Sequence, residues 1–353
     1  MPVCHHSHVR IMLQSHSLSI LHRQPLTMND HSTIYQQVNS HYGTLARGAQ
    51  PTYSSAISKA FGYSDEELDS IPAQANLGVS CGNPLAIASL HEGETVVDLG
   101  SGAGFDILLA SRRVGESGRA IGIDMNKDML EKSRRNQSKL PNAHNVSFIE
   151  AKITSIPLED GIADCIISNC VINLVPEGEK PAVFTEMARL LKPGGRVAVS
   201  DILVRKPLPS ALRENAALYV GCVAGASTKD DYTRWLKDAG FKDTMIVDTK
   251  SDLNIYIDMA RAAQIEKRDN CGCSNPPEID SALPQQDSRT FCTNAEAPST
   301  FFFESNILCC GEDAVGGSSN ETEKSGIAAV DCDLIDIDIN EWAGSFKIFA
   351  VKD

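Results

Sequence analysis

The sequence predicts a doubly wound α/β fold on a mostly parallel sheet, and three observations point to it. Short apolar runs of strand character alternate with helical stretches between about residues 95 and 204, the pattern of parallel strands joined by crossover helices. A glycine-rich turn, "DLGSGAGFD", stands where the first of these strands passes into the first helix. An acid, Asp124, closes the second strand, where a carboxylate can accept hydrogen bonds from both hydroxyls of a ribose.

Each element follows from its residues. "TVVDLG" (95–100) reads as a buried strand and "FDILLASRRV" as the helix after it. "RAIGID" (119–124) is the second strand, followed by a helix opening at Asn126, a good N-cap residue. "NVSFIEA" is the third strand and "ADCIIS" the fourth; "GEKPAVFTEMARLL" is a helix stopped by "KPGG", and "RVAVSDIL" is the fifth strand. The spacing of Leu212, Ala216, Tyr219 and Val223 predicts one helix over 210–226. Thr228 caps "KDDYTRWLKDAGF", which ends at Gly240. "DTMIVDT" is a sixth strand, and the alternating "SFKIFAVK" (345–352) a last strand that rejoins the sheet.

At 353 residues, 42% hydrophobic and 22% charged, the chain has ample material for a globular core. A net charge of −14 argues against nucleic acid or an anionic membrane as a partner. Residues 1–30 read as a flexible extension with an organelle-targeting segment as the alternative, and 31–250 as the main domain with a helical N-terminal lid. Residues 251–334 read as a disordered, low-complexity insertion, and 335–353 as the final strand. Eleven cysteines, with no secretory signal before them, imply a reducing compartment, the cytoplasm, where cysteines serve as ligands, redox groups or core.

The glycine spacing discriminates between cofactors. A dinucleotide fingerprint needs glycine at the first, third and sixth positions, and counting from Gly100 the sixth is Phe105. Alternating Gly100, Gly102 and Gly104 after Asp98 resemble the class I methyltransferases that bind S-adenosylmethionine, as does "LLKPGG" before the fifth strand. That resemblance implies the sheet order 3-2-1-4-5-7-6. The candidate cofactor contacts are Asp98, Gly100, Ser101, Gly102, Gly104, Asp124, Met125, Ile153 and Asn169. One departure is "EAKITSIP" after the third strand: where many relatives place an acid for the adenine amino group, this chain has Lys152 and Ile153.

Ligands of such sheets bind beyond the strand carboxyl ends where strand order reverses, here between the first and fourth strands. Cys170 in "ISNCVINLVP" therefore emerges beside the cofactor. Cys81 in "GVSCGNP" and Cys222 in "YVGCVAGA" are two further candidates. Taken singly, each also reads as a small buried residue.

Together with the glycine loop, "GYSDEELDSIPAQANLGVSCGNPLAIASL", "SNCVINL" and "LYVGCVAGA" resemble the arsenite methyltransferases, especially their microbial and fungal branch, over residues 61–249. The resemblance implies trivalent arsenic on Cys81, Cys170 and Cys222, with arsenic-binding elements around 71–90 and 203–227. It implies methyl transfer to arsenite or arsenic–thiol conjugates in detoxification, with S-adenosylmethionine as methyl donor and an external thiol reductant, glutathione or thioredoxin. The extra cysteine that relatives often carry after an N-terminal "YG" is absent from "HYGTLARGAQPTYSS". Cys165 reads as core; Cys271, Cys273, Cys309 and Cys310 fall in the insertion, and comparable pairs in relatives suggest arsenic hand-over. The alternatives are a methyltransferase of the same fold acting on an organic acceptor such as a quinone or sterol precursor, and a non-catalytic arsenic-binding protein.

Overall fold

In the computed structural model the described residues are 31–258 and 338–353. The expectations for residues 1–30 and for most of the cysteine-bearing insertion lie outside them. Seven strands form one sheet in the order β3-β2-β1-β4-β5-β7-β6, as the sequence implied. They are β1 Thr95–Leu99, β2 Arg119–Asp124, β3 Val146–Glu150, β4 Ala163–Asn169, β5 Leu191–Val204, β6 Phe241–Asp248 and β7 Ala343–Lys352. The first five pair in parallel, and β7 runs antiparallel to both β5 and β6.

The register sets the site. Leu99 of β1 lies opposite Ser168 of β4, so the glycine turn after β1 and Asn169-Cys170 at the end of β4 emerge side by side. "KPGG" belongs to β5 rather than ending a helix in a free turn, and the pairing of β4 with β5 shifts between Ala163 and Cys165 to absorb it.

Helices cover both faces because both faces of the central strands are apolar. Helix α5 (Phe105–Val114) packs Ile107, Leu108 and Ala110 with Val96, Ala120 and Ile167. On the opposite face Val97, Ile121 and Val199 meet Phe184 and Met187 of α7 (Lys180–Leu190) and Trp235 of α10 (Lys229–Asp238). Caps fix the starts. Asn126 accepts from the Met129 N–H to open α6 (Lys127–Gln137), and Thr228 with Asp231 forms a capping box on α10.

Ahead of the sheet come α1 (His31–Arg47), α2 (Ser54–Ala60), α3 (Asp65–Asp69) and the single turn α4 (Leu85–Ala88). Helix α1 is fastened to two other elements: Asn126 Nδ2 donates to the Asn39 carbonyl at 2.8 Å, and Tyr42 donates to the Val220 carbonyl at 3.0 Å. The helix expected over 210–226 is broken into α8 (Ser210–Arg213) and α9 (Ala216–Val220). The Asn215 side chain accepts from the Leu218 N–H and restarts the coil, so Cys222 lies beyond a helix end rather than within a helix. No described helix is long and apolar enough to cross a membrane.

Candidate active site

A cavity of about 1060 Å³, its mouth included, opens at the carboxyl ends of β1 and β4. Asp98, Gly100, Ser101, Gly102, Asp124 and Met125 line it, and so do Ile153 and Asn169. Gly104 does not. Its φ of 93° turns the chain into α5, a left-handed backbone that favours glycine, while a Cβ there would meet Leu108, Phe148 and Ser133 only at an ordinary 3.4 Å. Gly100 (φ 72°) is needed for a closer approach: a Cβ would stand 2.5 Å from the Val171 methyl carbons, which keeps the residue after Cys170 against the glycine turn.

The cavity wall is acidic. Burial raises the Asp98 carboxyl, and the neighbouring Asp106 and Asp124 charges raise it further. Burial also raises Asp106, against the hydrogen bonds of Tyr63 and Asn169 that hold it down. Asp124 accepts from Gly102 N–H at 2.9 Å and Asn126 N–H at 2.8 Å, and burial still pushes it up. Lys152, at the position flagged for adenine, sets its ammonium 3.8 Å over the Tyr35 ring, leaving Ile153 as the apolar wall.

Cys81, Cys170 and Cys222 fall in one apolar cluster at this end of the sheet. Cys170 lines both the main cavity and a smaller one that it shares with Cys222, Tyr42 and Tyr256. Where three free thiols were expected, Cys81 and Cys170 are joined as a disulfide, their Cα atoms 5.8 Å apart. The physical reason is a shared seat. Cys170 N–H donates to the Ser200 carbonyl at 2.9 Å, and the Cys81 sulfur faces the same oxygen at 3.8 Å. Gly82 allows the approach, since a Cβ there would lie 2.6 Å from Ser200 Cβ. From the far end of the chain, Ser345 Oγ donates to the Cys81 carbonyl at 2.5 Å.

Cys222 remains a thiol. Its sulfur sits 2.8 Å from the Cys170 carbonyl oxygen, and burial, then the Asp201 charge, pushes it well above the ordinary thiol range.

Several residues that the sequence did not single out organise this centre. Asn173 donates to Asp201 Oδ1 at 2.8 Å, to the Ile202 carbonyl at 2.6 Å and to the Cys222 carbonyl at 3.3 Å. Asp201 also accepts from the Tyr232 hydroxyl at 2.7 Å, and a carboxylate oxygen of it lies within 4.8 Å of the Cys81 and Cys170 sulfurs. Burial raises Asp201 to about 7. Asn169, expected on the cofactor alone, ties Cys81 to Asp106 and Tyr63. Asp106 stood in the quoted glycine motif; Asn173 and Asp201 were polar interruptions in apolar runs, which was their one visible signal.

Comparison with known proteins points to methyltransferases. A model described as a methyltransferase domain matches residues 90–240. An arsenite methyltransferase of Halobacterium salinarum is 46% identical over 185 residues, 52% of this chain and 46% of that protein. One from Aquipseudomonas alcaligenes is 33% identical over 232 residues, 61% of this chain and 64% of that protein. The chain thus spans less than two thirds of the length of either curated relative. An arsenic(III) S-adenosylmethionine methyltransferase from Chlamydomonas reinhardtii, known by crystal structure, is 31% identical, with 60% of this chain and 70% of that chain covered and a TM-score of 0.44.

Proposed function

The chain belongs to the arsenite methyltransferase family, and on that premise we propose that it methylates trivalent arsenic held by Cys81, Cys170 and Cys222 once the Cys81–Cys170 bond is reduced. The observation that carries this reading is the position of Cys170, which borders the cofactor cavity on one side and the Cys222 pocket on the other.

The cavity suits S-adenosylmethionine. Three carboxylates and one lysine line it, an arrangement for a cationic ligand, and Ser101 Oγ is buried there without a hydrogen-bond partner among the described residues. Asp124 would take the ribose hydroxyls, the glycine turn the amino-acid end, and Ile153 the adenine face. The bound cofactor supplies an electrophilic methyl group on a sulfonium.

The protein's part is soft coordination and placement. Thiolates are the preferred partners of a soft centre, and three sulfurs in a pyramid leave the arsenic lone pair on the open side. Holding two reactants in near-attack geometry is worth on the order of 7–11 kcal/mol. Arsenic has no proton to lose, so no general base is required. The arsenic lone pair would become the new arsenic–carbon bond as the sulfonium–methyl bond breaks and S-adenosylhomocysteine leaves with that electron pair, a formal two-electron oxidation of arsenic. Two cysteine thiolates return those electrons by joining as a disulfide, and the Cys81–Cys170 pair supports this assignment. An external dithiol, or two glutathione molecules, then reduces the bond by exchange and is itself oxidised. Arsenic detoxification is the physiological role that follows.

The test is incubation of the purified protein with arsenite, S-adenosylmethionine and glutathione, with arsenic species separated and counted. Methylated arsenicals are expected, and their absence, with cofactor binding intact, overturns the proposal.

A further inference from the structure

Asn169, the last residue of β4, reaches in two directions. Its Nδ2 faces three acceptors: Asp106 Oδ2 at 2.9 Å, the Gly82 carbonyl at 2.9 Å and the Tyr63 hydroxyl at 3.0 Å. Its Oδ1 accepts from the Cys81 N–H at 3.2 Å. Tyr63 in turn donates to Asp106 Oδ1 at 2.6 Å. Asp106 lines the cofactor cavity beside Asp98, whose carboxyl feels its charge. One planar amide therefore joins the cavity wall to the Cys81-Gly82 loop, its Nδ2 bonded to both Asp106 and Gly82 and its Oδ1 to Cys81.

The donor count makes this more than a brace. An asparagine amide has two N–H bonds, and here they are divided among three acceptors. Asp106 draws on both Tyr63 and Asn169. A positively charged group in the cavity satisfies the carboxylate from the other side and frees an Asn169 N–H for the Gly82 carbonyl. That tightens the loop carrying Cys81.

We infer that Asn169, with Tyr63 and Asp106, is a positioning element that couples a cationic ligand in the cofactor cavity to the placement of Cys81, so that cofactor and trivalent arsenical bind cooperatively. The inference rests on the function proposed above. It assigns Asn169 and Tyr63 no contact with the reacting atoms. A side chain that merely scaffolds the fold changes each affinity by the same factor with or without the other ligand. A coupling residue changes the ratio, and linkage requires the ratio to be the same measured from either ligand.

The experiment is calorimetric titration of the reduced full-length protein with arsenite, with and without saturating S-adenosylhomocysteine, which keeps the amino-acid ammonium and cannot react. About 5-fold or greater tightening of arsenite binding is expected, with the reciprocal effect on the nucleoside. Asn169→Leu should bring the ratio close to one. Tyr63→Phe, which removes one hydroxyl and keeps the ring against Phe105, should give an intermediate value and answers the question if the leucine variant fails to fold. A wild-type ratio of one, or an unchanged ratio in the variants that fold, overturns the coupling alone. No arsenite binding under either condition overturns the functional reading and the coupling with it.

Discussion

Cys222 places its sulfur 2.8 Å from the carbonyl oxygen of Cys170, and both residues hold left-handed backbone, with φ of 66° and 60°. For non-glycine residues such a conformation costs on the order of 1–3 kcal/mol each and persists only where the surroundings fix it. Asn173 does so, clamping the Cys222 carbonyl to the same strand end that carries Asp201. Two cysteines far apart in sequence are thereby presented together.

If those sulfurs hold the substrate, replacing either leaves arsenic with an incomplete set of donors. Cys170→Ser and Cys222→Ser should each lower methylarsenical formation by about 100-fold or more, since small displacements of a reacting atom already cost that much. S-adenosylhomocysteine affinity, measured by calorimetry, should stay near the wild-type value. Full methylation in both variants rejects the ligand assignment.

Cys165 supplies the contrast. It is fully buried in β4 among the side chains of α5, and burial raises its thiol to about 12, so it is inert. Cys165→Ala should cost about 1 kcal/mol in urea unfolding and leave the arsenic species profile unchanged. A lost methylation step would assign this thiol a redox role.

Gly100→Ala tests the glycine turn. The new methyl group meets Val171 at 2.5 Å on a backbone with φ of 72°. A loss of roughly 2–4 kcal/mol in stability should accompany weakened cofactor binding, read in the same urea and calorimetric experiments. An alanine variant with wild-type values in both means that Val171 moves aside freely.

Asp201 makes stability depend on pH. Its folded value is raised to about 7, against roughly 3.9 in an unfolded chain. The folded state therefore holds a proton that the unfolded state has released between those values. Its contribution is complete below about pH 4 and is lost as pH rises through about 7. Asp201→Asn, which imitates the protonated acid, should resemble wild type at about pH 4 and gain on it by roughly 2–4 kcal/mol at pH 8. Parallel urea curves for the two proteins across that range would remove the argument.

Much of the frame was legible in the sequence because local rules decide it. The helix over 105–114, the strand over 119–124 and the cap at Asn126 were read to the residue from apolar runs and cap chemistry. The last strand was visible as strict alternation in "SFKIFAVK" and begins at Ala343, slightly earlier than read. The broken helix was missed because periodicity alone favoured continuity, whereas Asn215 had the chemistry to restart it. The Asp201–Asn173–Tyr232 network and the tie from Asn169 to Asp106 depend on residues dozens of positions apart. Nothing local reports such convergence. The disulfide was hidden for the same reason: only the packing of the Cys81 loop on β5 brings the two sulfurs within bonding reach.

The hydrogen bond from Ser345 to Cys81 spans 264 positions of chain, and β7, which carries that serine, also fills the gap between β5 and β6. A ribosome-bound nascent polypeptide must expose Cys81, Cys170 and Cys222 long before that strand is synthesised. Until β7 joins, the sheet lacks the strand between β5 and β6, and the Cys81 loop lacks its tie to Ser345.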